Sequence, residues 1–163
     1  MTTATSITAE DIGKRVLKLI DSIRSADDIA PTQIEKVTGI KVDFNPSDEN
    51  QYGFGGKLTD TWSYNLVSLT EADGSKPTRL MFSFDEQNHD DDADMSAVCG
   101  LDFDAYAKAL KQAGFKSEPA PGERNSTRYW DFSRGDVSVH VYVRGESDAK
   151  AGHSCVTSLI INA

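Results

Sequence analysis

Glu86, His89, Asp90, Asp91, Asp92 and Asp94 form the densest run of metal-capable side chains in the sequence. Carboxylates at this spacing suit a hard cation such as Ca²⁺, with Asp90, Asp92 and Asp94 as the candidate ligands. A calcium loop also needs a glycine at its sharp turn and a closing glutamate. Neither follows Asp94, so the run reads as a linker kept extended by its own charge. His89, His140 and His153 fall in a linker, a strand and a loop, without zinc-type spacing and with only Cys155 near any of them. His140 alternates with Val137, Val139, Val141 and Val143, which puts it on the outer face of a strand beside Tyr142. Gly53, Gly55 and Gly56 stand among aromatics, but no strand feeds them and no capped helix follows to make a phosphate cradle. Such glycines mark bulges or close backbone approach, with Trp130 or Phe132 expected to pack across Gly55 or Gly56.

No nucleophile with an oriented base stands out, so no catalytic residue and no cofactor is assigned, and an enzyme is not expected. The two cysteines, Cys99 and Cys155, are expected to form a disulfide that closes most of the second half of the chain, with two buried thiols as the alternative. Such a loop stabilises by roughly 3 to 4 kcal/mol.

The elements that position these groups follow from periodicity. Thr8 and Asp11 cap a helix over 9–24 in which Ile12, Val16, Leu19, Ile20 and Ile23 share one stripe. A short helix is expected over 31–38, closed by Gly39. Another begins after Asp102, carries Phe103, Tyr106, Leu110 and Ala113 on one face and ends at Gly114. Trp62, Tyr64, Leu66 and Ser68 alternate as a half-buried strand does, and the valines of 137–143 do the same. A shift of 75 positions (114 − 39) carries Gly39-Ile40-Lys41 onto Gly114-Phe115-Lys116, Pro46 onto Pro121 and Glu71-Ala72-Asp73 onto Glu146-Ser147-Asp148. The expected fold is α+β: two tandem helix-plus-three-strand repeats forming a mainly antiparallel sheet with helices on one face, plus an extra N-terminal helix. One domain spans 1–163, with repeat one at 28–84, a linker at 85–97 and repeat two at 102–161.

The 163 residues carry a net charge of -9 and no basic cluster, which excludes nucleic acid as a partner and disfavours anionic membranes. No apolar run approaches the ~18 residues of a spanning helix, so membrane insertion is not expected. The lead-in at 1–6 lacks a basic region followed by an apolar core. It also matches a mature chain from which a targeting segment has been removed, so the periplasm of a bacterium or the exterior is expected, with the cytoplasm as alternative.

An acidic surface steers toward a cationic protein. The expected contact is made by the loops at 70–77 and 145–153, with Glu71, Asp73, Glu146 and Asp148 at the rim and Tyr129 and Trp130 as aromatic anchors. These features point to a catalytically empty, protein-binding module of inhibitor or immunity type that blocks a toxin or hydrolase, as a monomer or weak dimer. A secretion-system chaperone or adaptor, or a small ligand-binding protein, is the alternative. In layout, two helix-plus-sheet units in tandem, the chain resembles tandem-repeat enzyme inhibitors such as the β-lactamase inhibitory proteins. That resemblance is one of element order and assigns no residue.

Overall fold

The computed structural model describes residues 7–90, 92–125 and 127–163; the lead-in at 1–6 and Asp91 lie outside the described residues. Helix α1 (Ala9–Ser22) begins where the Thr8 side chain accepts the Asp11 N–H at 3.1 Å and buries Ile12, Val16, Leu19 and Ile20. It stops two residues short of the expected end, yet Ile23 continues the apolar stripe fully buried. Helix α2 (Pro31–Thr38) starts on proline, whose missing N–H leaves no helical bond unmade, and ends at Gly39. Helix α3 (Phe103–Gln112) is capped by Asp102, which accepts the Ala105 N–H at 3.0 Å. Gly114 then takes φ +97°, a conformation that a Cβ would strain, and turns Phe115 into the core.

Eight strands form one antiparallel sheet: β1 (Asp43–Asn45), β2 (Asp48–Lys57), β3 (Trp62–Ser68), β4 (Arg79–Glu86), β5 (Lys116–Pro121), β6 (Thr127–Arg134), β7 (Val137–Gly145) and β8 (Ser154–Asn162). Their spatial order is β1-β2-β3-β4-β8-β7-β6-β5. Each helix α2 and α3 is thus followed by four strands where three were expected. The additions are the two edge strands. β1 is three residues long, and β5 carries Pro119 and Pro121, so neither shows an apolar alternation. A proline that cannot donate to a ladder is tolerated at an edge, where it also discourages pairing with another chain.

Strand positions alternate between two environments. Trp62, Tyr64 and Leu66, Leu80, Phe82 and Phe84, and Val137, Val139 and Val141 join the helix stripes in a single buried core. The intervening residues are half-buried or exposed, so the opposite sheet face is open. Arg134 ties elements together: its guanidinium donates to the carbonyls of Ala113 (2.8 Å), Asp21 (3.0 Å) and Ile23 (3.1 Å) and lies 4.4 Å from the Phe115 ring centroid. The carbonyls left unpaired at the C-terminal ends of α1 and α3 are satisfied in this way. No helix among the described residues is long and apolar enough to cross a membrane.

Candidate functional site

The strand registers set a row of side chains straight across the open face: Gly53, Val67, Met81, Ile160, His140 and Asp131. Its centre is apolar and half-buried. The row beside it, Asn65, Ser83, Ser158 and Tyr142, is polar until it reaches the tyrosine. There Tyr129 stacks on His140, with ring centroids 4.5 Å apart, and lies 5.3 Å from Tyr142. The expected outward direction of His140 is what the strand alternation produces. Asp131 Oδ1 is buried, makes no hydrogen bond among the described residues and has His140 Nε2 3.7 Å away. At the other end of the sheet Gly53 and Gly55 open a trough of about 420 Å³, with Asp43, Gln51 and Asn65 on its walls. A Cβ on Gly53 would sit 1.9 Å from the Leu66 carbonyl oxygen, so close backbone approach requires glycine there.

Trp130 points the other way from Tyr129 and packs on Phe103 of α3, with ring centroids 5.4 Å apart, on the helix side of the sheet. It does not reach Gly55 or Gly56, because four strands separate β2 from β6. The ring of Tyr64 occupies the space over Gly56 instead. The four expected rim carboxylates also divide. Asp73 and Asp148 are exposed, and the Ser75 hydroxyl and N–H hold the Asp73 carboxyl below its usual pKa. Glu71 turns to Arg79 at 3.6 Å and accepts the Thr78 hydroxyl at 3.3 Å. Glu146 is only 7% exposed and faces inward, so a four-carboxylate clamp does not form.

Glu146 belongs to a second constellation. Cys99 and Cys155 are joined by a disulfide, and His153 lies over it, Nδ1 3.9 Å from Cys99 Sγ. His153 Nδ1 is 3.2 Å from Glu146 Oε1, and its Nε2 is 2.8 Å from Asp102 Oδ2. Glu146 Oε2 meets the Lys150 ammonium as an ion pair at 3.2 Å. Hydrogen bonding to Asp102 and then to Glu146 raises the His153 pKa above its ordinary value, and His153 in turn lowers that of Asp102. Sequence spacing missed this group because its members come from a turn before α3, the α3 cap, the β7–β8 loop and β8. The one local signal was His153-Ser154-Cys155, with Glu146 seven positions earlier.

The acidic linker is used differently. Glu86 is buried, and its Oε2 accepts the N–H groups of Asn88 (2.9 Å) and Asp90 (2.8 Å). Asp90 accepts the Asp92 N–H at 2.9 Å and Asp94 the Ser96 N–H at 2.7 Å, so these carboxylates cap their own turns. Among the described residues, Cys99, Glu146, His153 and Cys155 each bring one potential ligand atom to within 4.8 Å of the others, the two sulfurs being bonded to each other.

Compared with protein-family models, curated proteins and solved structures, the chain matches none.

Proposed function

We propose that this chain is a non-catalytic, protein-binding module of inhibitor or immunity type that presents the open face of its sheet to a cationic partner. The observation that carries this reading is the apolar row Val67, Met81 and Ile160 running into the aromatic group Tyr129, His140 and Tyr142. An apolar centre with adjacent aromatics inside a polar surround is the anatomy of a protein interface, in which a few buried anchors carry most of the affinity. The trough at Gly53 and Gly55 offers room for a projecting side chain of the partner. Exposed Asp73 and Asp148 supply rim charge, and the net charge of -9 favours a basic partner.

We read the two halves as copies of one helix-plus-strands unit, joined through β4 and β8. Support comes from the recurrence of α2-β1-β2-β3-β4 as α3-β5-β6-β7-β8 in the same order. The shift of 75 (137 − 62) also carries the first residue of β3 onto that of β7. The disulfide favours an oxidising compartment, a periplasm or the exterior.

The test is capture of the partner from the native organism's extract, followed by affinity measurements on folded variants. Tyr142→Ala and Met81→Asp should each weaken binding by about 30-fold or more, as loss of an interface anchor does. Asp73→Lys with Asp148→Lys should slow association and reduce its salt dependence. Parental affinity in both open-face variants would remove the sheet face from consideration.

A further inference from the structure

We propose that Cys99, Cys155, His153 and Glu146 form a Zn²⁺ site once the disulfide between the two cysteines is reduced by a dithiol. This does not depend on the protein-binding reading. The four side chains each offer one ligand atom, and these atoms lie within 4.8 Å of one another. A tetrahedral zinc with Zn–S near 2.3 Å and Zn–N near 2.0 Å needs neighbouring ligand atoms roughly 3.3 to 3.8 Å apart. His153 Nδ1 is already 3.2 Å from Glu146 Oε1 and 3.9 Å from Cys99 Sγ. The two sulfurs, bonded to each other in the oxidised chain, must separate, and the remaining ligand atoms, all within 4.8 Å of one another, close by about 1 Å or less.

The orientation of the imidazole is a second, independent observation. Metal-binding histidines typically donate their other ring N–H to a carboxylate, which fixes the ring and its tautomer. Asp102 Oδ2 stands 2.8 Å from Nε2, and its own position is set because Oδ1 caps α3. With Nε2–H donated to Asp102, Nδ1 faces Glu146 Oε1 and Cys99 Sγ, and the proton it shares with Glu146 in the imidazolium is the one that a metal ion at this point replaces. Lys150 holds the far oxygen of Glu146 and leaves Oε1 for the site. Cys155 is fully buried, Cys99 is 6% exposed and Glu146 7%, while His153 forms the solvent-facing side through which reductant and metal enter.

The chemistry balances in two steps. A dithiol reductant transfers two electrons and two protons: the S–S bond breaks, two thiols form, and the reductant closes to its own disulfide. Zn²⁺ then displaces one proton from each thiol, and the Nδ1 proton where the imidazole is protonated, and is held by two thiolates, the imidazole and the carboxylate.

The test uses full-length protein reduced with a phosphine, which becomes the phosphine oxide with the oxygen of water, and desalted without oxygen. Titration with Co²⁺ should give a thiolate-to-cobalt charge-transfer band at one equivalent, and Zn²⁺ should displace the cobalt. Oxidised protein should give no band. Asp102→Asn keeps a helix cap of equal quality but removes the charge on His153, and should weaken metal binding about 10- to 100-fold. His153→Ala and Glu146→Gln should weaken it at least as much. Folded reduced protein without the band, or unchanged affinity in any of these variants, overturns the proposal. Should reduction unfold the chain, Zn²⁺ must restore its helical circular dichroism, since assembling the ligands and folding are then one step. Failure to do so also overturns it.

Discussion

Tyr106 is fully buried between α3 and α1, with its hydroxyl against Gly13 and no hydrogen-bond partner among the described residues. Burial without a partner pushes its pKa well above the ordinary phenol range. An unsatisfied buried hydroxyl costs about 1 to 3 kcal/mol, a penalty that phenylalanine would not incur while keeping the ring contacts. Tyr106→Phe should therefore be as stable as the parent or more stable, by up to about 2 kcal/mol, as read from the urea midpoint at constant slope. A clear loss of stability would show that the hydroxyl has a partner in solution. The same contrast between chemical type and environment separates Glu146 from Asp148. Both are carboxylates of one loop, but only the one pulled toward the disulfide meets His153 and Lys150.

At the scale of elements, two side chains join pieces distant in sequence. Arg134 of β6 serves the ends of α1 and α3 with three backbone hydrogen bonds and an ion pair to Asp21 at 3.0 Å. Its removal leaves carbonyls unpaired, so Arg134→Ala should lower stability by about 2 to 3 kcal/mol, and Arg134→Lys should restore only a minor part because an ammonium lacks the planar fork. Urea unfolding of the two variants checks this. His153 ties the β7–β8 loop to the cap of α3 through Asp102, and the linkage has a defined sign. The folded pKa of His153 is raised above 6.5, so its contribution is complete below that value and fades as pH rises through the folded pKa. Asp102 is lowered from 3.8, so its contribution is present above that value and is lost only on further acidification. The disulfide-bonded protein should accordingly protect the loop amides better at about pH 5.5 than at about pH 8.5. Hydrogen exchange should show this difference in the parent and not in His153→Ala.

For the molecule as a whole, the Cys99–Cys155 bond spans 56 positions and fastens the turn before α3 to β8, a strand at the middle of the sheet. Loop-closure entropy for that span predicts a stabilisation of roughly 4 kcal/mol. The double variant Cys99→Ala with Cys155→Ala should lower the unfolding free energy by about 2 to 5 kcal/mol in denaturant titration. Mass spectrometry of the unreduced parent should show two hydrogens fewer than the sequence mass.

Local rules were enough for whatever depends on neighbours along the chain. The caps at Thr8 and Asp102, the glycine stops at 39 and 114, and the alternation of Trp62 to Ser68 and of Val137 to Val143 each rest on contacts within a few residues. Those signals sufficed for the α1 stripe, the inner strands and the outward direction of His140. The prolines of β5 hid an edge strand, because edge pairing asks for no apolar period. What faces what was decided only in three dimensions. Val67, Met81 and Ile160 become neighbours through strand register across β3, β4 and β8, which no spacing encodes. Tyr129 and Trp130, adjacent on β6, take opposite faces as any strand neighbours do, but only the packing of α3 decides that Trp130 has the covered face and Tyr129 the open one. Cys99, Glu146, His153 and Cys155 meet because the β7–β8 loop folds over the turn before α3, a contact that loop-closure entropy opposes and only the assembled core makes favourable.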